Sequence, residues 1–435
     1  MSRNRSINKR LVRAWRTLDL ERAASRLGAW FRVRLDFEPA VALLRRKPVP
    51  IHRHSWIYCL GDAAVFLFAL QCVSGCLLML YYQPTEASAH ESVRSIMTEV
   101  PFGWLVRSFH SWGASVFIGT VGLHLVTVLF ARAYRRPREL AWVSGVFMLA
   151  VALGSGFSGY LLPWNELSYY ATLVGTQIPG TLPGVGRFIV HALRGGDQLT
   201  GATITRFYAV HVMLAPLAMI LLLSFHVFLT RVRGLSLPLG MSQREVSDRR
   251  PFFGEFLLVD VCVWLVVFAA IVTLAAFVPA EVGVRADPLR PAPEGIKPEW
   301  YFLFAFQTLK MVPEAVGVAF FVLAGVFLLL LPLIDRRAPR GQKSPTLTAL
   351  FAVGLVYVAV FQILAWGAPG VEHPPEDPQA GSAGMALRRA ASGAWLALLW
   401  SVVGVLVFYL GQLAKENARV RRLYRDDEKN TSATC

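Results

Sequence analysis

The chain has 435 residues, of which 55% are apolar and 17% charged, a balance that excludes an ordinary water-soluble domain and points to several membrane spans. Its formal charge of +16 could suggest a nucleic-acid binder, so the placement of the basic residues decides the matter. Apolar stretches of spanning length fall at roughly 56–82, 109–130, 141–162, 206–230, 255–279, 314–334, 347–368 and 393–414. With both termini on one side, 33 of the 44 Lys and Arg residues fall in segments on that side. This is the positive-inside pattern: it predicts an all-α, eight-span protein with both termini cytoplasmic, and the expected location is a prokaryotic inner (cytoplasmic) membrane. The basic residues then report topology and contact with anionic lipid, not nucleic acid.

In chain order, residues 1–53 are a basic, amphipathic cytoplasmic segment rather than a cleaved signal. Residues 54–230 hold four spans. The polar, basic stretch 231–254 reads as a cytoplasmic linker. Residues 255–414 hold four more spans, and 415–435 form a cytoplasmic tail. Two long loops on the far side, 163–205 and 280–313, stand out, because long ordered loops usually line a site or dock a partner. Of the five cysteines (Cys59, Cys72, Cys76, Cys262 and Cys435), four lie in apolar spans, and no Cys-x-x-Cys-His haem-attachment motif is present.

The second span carries His110 and His124, and the fourth carries His211 and His226. Imidazole is costly in hydrocarbon unless it is paired or bound. Fourteen helical steps return to within about 40° of the starting face and rise about 21 Å, while fifteen overshoot it by about 60° and rise about 22 Å. Each helix therefore shows two imidazoles on nearly one face, one near each membrane surface. The topology runs both spans from outside to inside, so His110 matches His211 in depth and His124 matches His226. Two stacked bis-imidazole sites are what two b-type haems need. Gly61 and Gly75 on the first span, and Gly145 and Gly159 on the third, are each fourteen apart and would let a flat macrocycle approach the backbone. Isolated core histidines would be the plainer reading of any one of these residues, but not of four at matched depths. A transporter with structural histidines is the rival from another class.

With these residues in view, the sequence resembles cytochrome b of the bc1 and b6f quinol oxidoreductases. The likeness runs from about residue 48 to 335 and is looser in the last two spans. It is carried by His-x13-His followed by His-x14-His, by IMTEVPFGWLVRSFH, RRPRELAWVSGV, SGYLLPWNELSYYA and TITRFYAVH, and by GIKPEWYFLFAFQTLK with its Pro-Glu-Trp-Tyr signature. The spacing is like the b6 branch. There the signature belongs to a separate subunit IV, whereas here both modules are fused. The di-haem subunits of formate dehydrogenase and hydrogenase lack that signature.

The resemblance implies a Q cycle, in which quinol is oxidised at an outer site, electrons cross through two b haems, and quinone is reduced at an inner site. It implies a Rieske iron–sulfur protein and a c-type cytochrome as partners, and a homodimeric complex. Glu299 and Tyr301, with Pro298 and Trp300, match the family's outer site, and Tyr160 and Pro163 match its opposite wall. Arg107, and Arg206 one turn and a half before His211, stand at propionate depth. Ser111 and Thr127 replace two arginines of b6. WIYCLGDA resembles the b6 stretch FYCLGG, whose cysteine carries a covalent high-spin haem, which points to Cys59, with Arg231 nearby. At the inner site Asp62, Glu255 and Arg231 could serve a quinone carbonyl or proton uptake, and Asp62 and Glu255 could equally be solvated interface groups. Asn165-Glu166, where b6 has Asp-Gln, keeps open a second reading: a di-haem, quinone-linked subunit feeding a multihaem c-type partner without a Rieske protein.

Overall fold

The computed structural model describes residues 49–51, 56–237, 239, 248–250, 257–290 and 296–367. Eleven helices are named here in chain order: α1 Trp56–Met79, α2 Ala89–Thr98, α3 Gly103–Ala131, α4 Glu139–Leu161, α5 Glu166–Gln177, α6 Gly186–Arg194, α7 Gly201–Arg233, α8 Leu257–Phe277, α9 Trp300–Met311, α10 Glu314–Ile334 and α11 Pro345–Gly367. Of these, α1, α3, α4, α7, α8, α10 and α11 are long and apolar enough to cross a membrane. They match the first seven spans expected from the sequence. The eighth, 393–414, lies outside the described residues, as do the amphipathic segment up to residue 48, Glu255 and the tail. One departure from an all-helical fold is a short antiparallel ribbon in which β1 Val49–Ile51 pairs with β2 Asp248–Arg250.

The spans are helical because hydrocarbon leaves every backbone N–H and C=O to be satisfied within its own segment. Their ends are set locally. At the end of α3, Arg132 turns into the left-handed region at φ 53°, and its N–H bonds the Leu129 and Val128 carbonyls. Gly234 caps α7 through the Thr230 carbonyl.

The loop 163–205 is largely helical, which its composition did not suggest. Asn165 starts α5 with a capping box: its side chain accepts from the Ser168 N–H while the Ser168 hydroxyl accepts from the Asn165 N–H. The same Asn165 amide donates to Val282 O at 2.8 Å, tying this loop to residues 280–286. The sequence divergence at Asn165 is thus a helix cap and a loop tether.

α1 packs against α3, and α4 against α7. The core falls into three clusters along these helices. One holds Leu161, Trp164, Tyr169, Ile204 and Phe207. The middle one holds Leu67, Phe117, Ile118, Ala152, Met219 and Ile271. The third holds Leu129, Tyr134, Trp142, Leu331 and Phe351. On α3 and α7 the middle cluster lies between the two histidines of each helix, as an apolar plug separating two polar levels.

Candidate functional site

The four histidines meet as two pairs. The rings of His110 and His211 are 6.2 Å apart between centroids and nearly perpendicular, at 82°. His124 lies within electrostatic reach of His226. The unequal spacings, fourteen on α3 and fifteen on α7, are reconciled by backbone. Val210–Leu214 is a π-helical turn, with the Ala215 N–H bonding the Val210 carbonyl. A π-turn absorbs one extra residue, so His211 and His226 share a face as if fourteen apart. His211 itself sits in that turn.

The four glycines pack against the ligand imidazoles. A Cβ on Gly75 would meet His110 at 3.3 Å, one on Gly61 His124 at 3.4 Å, and one on Gly145 His226 at 3.4 Å. On Gly159 it would meet His211 at 2.5 Å. Each glycine makes room for one imidazole on the neighbouring helix. Serines preceding three of them complete the arrangement. Ser74 Oγ is 2.9 Å from His110 Nδ1, Ser144 Oγ is 3.0 Å from His226 Nδ1, and Ser158 Oγ is 3.4 Å from His211 Nδ1, which also has Ser155 O at 3.0 Å. The Gln71 amide nitrogen donates to the His110 carbonyl at 3.0 Å and its oxygen accepts from the Ala114 N–H at 3.1 Å.

These hydroxyls donate to helix carbonyls: Ser74 to Leu70 O at 2.7 Å, Ser144 to Ala141 O at 2.9 Å and Ser158 to Ser155 O at 3.2 Å. Each serine therefore accepts from the imidazole Nδ1–H, which leaves Nε2 as the free lone pair. The residues fit haem iron: an imidazole pair at each level, the tautomers of His110, His211 and His226 set by their acceptors, and, at the outer level, 6.2 Å between centroids, close to two metal–nitrogen bonds of about 2 Å plus two ring radii.

Arg107 donates to Ala280 O and Glu281 O, each at 2.9 Å, and Arg206 donates to His191 O and Ala192 O, also at 2.9 Å. Both hold outer loops through carbonyls. A guanidinium has five donors, so each keeps donors for a carboxylate.

Around the Pro298-Glu299-Trp300-Tyr301 turn, Tyr301 reaches across to α4. A Cβ on Gly156 would meet its hydroxyl at 2.7 Å, and one on Gly119 would meet the Trp300 ring at 3.6 Å. Tyr301 interacts electrostatically with Glu299 and with Tyr160, near the end of α4, and Pro163 follows that helix. The Gln362 amide donates to Trp300 O at 2.7 Å and fixes the turn against α11. Glu299 caps α9, and burial pushes its carboxyl above the usual range, against the pull of the Trp300 N–H. Gly119 and Gly156 were missed in the sequence because only the fold brings them against this turn.

At the opposite level, Cys59 and Asp62 on α1 converge with Arg231 on α7 and with Asp260 on α8. Asp260 is 1% exposed, both its oxygens are shut off from solvent, and Cys59, Asp62 and Arg231 are the polar groups acting on it. Sequence reasoning missed Asp260, although a lone acid in an apolar span is itself a signal of function. Cys59 lies two residues before Gly61, which faces His124. Glu255 lies outside the described residues.

The family model for cytochrome b/b6/petB matches residues 44–234, and that for cytochrome b (C-terminal)/b6/petD matches residues 285–387. The chain is 42% identical over 340 residues to the cytochrome bc complex cytochrome b subunit of Chlorobaculum thiosulfatiphilum, covering 77% of this chain and 79% of that one. It is 43% identical to cytochrome b6 of Heliobacterium mobile, over 44% of this chain and 90% of the relative. A solved hyperthermophilic respiratory Complex III aligns with TM-score 0.70 and 31% identity, covering 78% of this chain and 91% of its own. Two histidine levels in a membrane bundle and these likenesses agree: the chain belongs to the cytochrome b/b6 family, as the fused cytochrome b subunit of a bc/b6f-type quinol oxidoreductase complex.

Proposed function

We propose that this chain runs a Q cycle between two quinone sites on opposite sides of a prokaryotic inner membrane, with both termini cytoplasmic. The observation that carries the reading is the two-level histidine arrangement, split by the apolar cluster of Phe117, Ala152 and Met219. His110 with His211, and His124 with His226, would each hold one b haem. When bound, the haems supply a one-electron path across the bilayer.

At the outer site the quinol loses two electrons and two protons. Glu299, its carboxyl raised towards working pH, accepts one proton in an apolar pocket walled by Pro298, Trp300, Tyr301, Tyr160 and Pro163. One electron leaves to a Rieske iron–sulfur protein and then a c-type cytochrome. The other crosses to the inner site, where Asp62, Asp260 and Arg231 surround the quinone and feed it protons. Cys59 would hold a further haem there, its thiol being the group that could link to a haem vinyl as a thioether. The complex is a homodimer.

The experiment is purification of the complex followed by reduced-minus-oxidised spectra, haem staining of the denatured chain, and quinol–cytochrome c reductase assay. Each of His110→Ala, His124→Ala, His211→Ala and His226→Ala should lose one haem signal. A stained band that disappears in Cys59→Ser supports the covalent haem. Two haems retained in all four histidine variants would sink the assignment, and copurification of a multihaem cytochrome without a Rieske protein would redirect the electron path.

A further inference from the structure

Three of the four ligand histidines share one local device, and the fourth lacks it. The pairs Ser74-Gly75, Ser144-Gly145 and Ser158-Gly159 each present a glycine under an imidazole ring and a serine to its Nδ1. The remaining glycine, Gly61, faces His124 in the same way, but Leu60 precedes it. Among the described residues, the buried Nδ1 of His124 has no hydrogen-bond partner.

We propose that Leu60 is a positioning residue that raises the midpoint potential of the haem held by His124 and His226, by withholding the Nδ1 hydrogen bond that the other three ligands receive. The proposal rests on the di-haem reading above. A ligand imidazole that donates its Nδ1–H to an oxygen is a more basic Nε2 donor and favours the oxidised iron. At the outer level both imidazoles are anchored in this way. At the inner level only His226 is. Leucine at position 60 thus does what serine at 74, 144 and 158 does not: it fills space beside the glycine without offering an acceptor.

The test is a redox titration of the purified complex, following each low-spin haem by its optical or paramagnetic resonance signal, in wild type, Leu60→Ser, Leu60→Ala, Ser144→Ala and Ser74→Ala. Leu60→Ser should lower the inner haem's potential by up to a tenfold change in electron partition, about 59 mV for one electron, and leave the outer haem in place. Leu60→Ala, which adds no acceptor, should not produce that downward shift. Ser144→Ala should raise the inner potential and Ser74→Ala the outer. If Leu60→Ser does not assemble, the two serine deletions carry the test, and potentials unmoved in both overturn it. An unmoved inner haem in an assembled Leu60→Ser complex overturns it equally. A wild-type complex without two low-spin haems would instead overturn the di-haem reading itself.

Discussion

Glu299 is a buried carboxyl at the turn that starts α9. Burial holds its carboxyl neutral to a higher pH than an exposed glutamate. In the proposed role of proton acceptor it must be ionised, so turnover should fall as pH drops through its raised value. Glu299→Gln should lose that limb and slow quinol oxidation by about a hundredfold, measured by reductase assay across pH. The linkage runs the other way for stability. A carboxyl with a raised folded value favours the folded state below the unfolded value, and that contribution is lost as pH rises through the folded one. Thermal unfolding of Glu299→Gln should therefore vary less with pH over that window. The glycines give a graded prediction at the same scale. An alanine at 61 would meet His124 at ordinary contact distance, 3.4 Å, whereas one at 159 would overlap His211 at 2.5 Å. Gly159→Ala should lose the outer haem signal and Gly61→Ala should keep the inner one. The four histidines and the glycine period were legible because both depend only on helical spacing. The serines were equally visible as Ser-Gly pairs, but their meaning required knowing which helix faces which.

Among the elements, α7 shows where regular geometry misleads. A straight helix would leave His211 and His226 about 60° out of line. The π-turn at Val210–Leu214 removes the difference, and no residue pattern in the sequence announces it. Deleting Met213 should turn this region into uninterrupted α-helix while keeping both histidines in register, so the purified variant should retain two haems. Inserting one alanine between Phe117 and Ile118 of α3 has no bulge to absorb it. It would rotate His124 about 100° relative to His110, and should cost one haem signal. Loss of a haem in the deletion, or retention of both in the insertion, would show that the turn does not set the register. Span boundaries were readable to within a few residues, because apolar length is the dominant signal in a membrane. The helices α5 and α6 were not, because their segment is glycine-rich and α5 is started by the Asn165–Ser168 capping box rather than announced by apolar periodicity.

At the scale of the molecule, the proposed quinol pocket requires the two parts of the chain matched by the two family models to stay docked. Trp112 Nε1 donates to Val278 O at 2.7 Å and Trp142 Nε1 to Leu328 O at 2.6 Å, and Arg107 holds the start of the segment after α8. The most demanding contact is buried. Arg132 and Asp335, each 1% exposed at the side chain, approach to 3.5 Å; Tyr134 donates to Asp335 at 2.8 Å, and Arg132 also reaches Thr348 at 2.7 Å. This joins the end of α3 to α10 and α11. Removing one partner of such a pair leaves an uncompensated buried charge and costs about 3–5 kcal/mol. Separate family models match residues 44–234 and 285–387, so the two parts are recognisable apart. Two co-expressed fragments, 1–240 and 241–435, should therefore assemble with both haems and with reductase activity. Adding Asp335→Ala should separate them during purification while the first fragment keeps its haem spectrum, because its four histidines lie on α3 and α7. Fragments that remain together in Asp335→Ala would place the docking energy in the apolar faces of α8 and α10 instead of the ion pair.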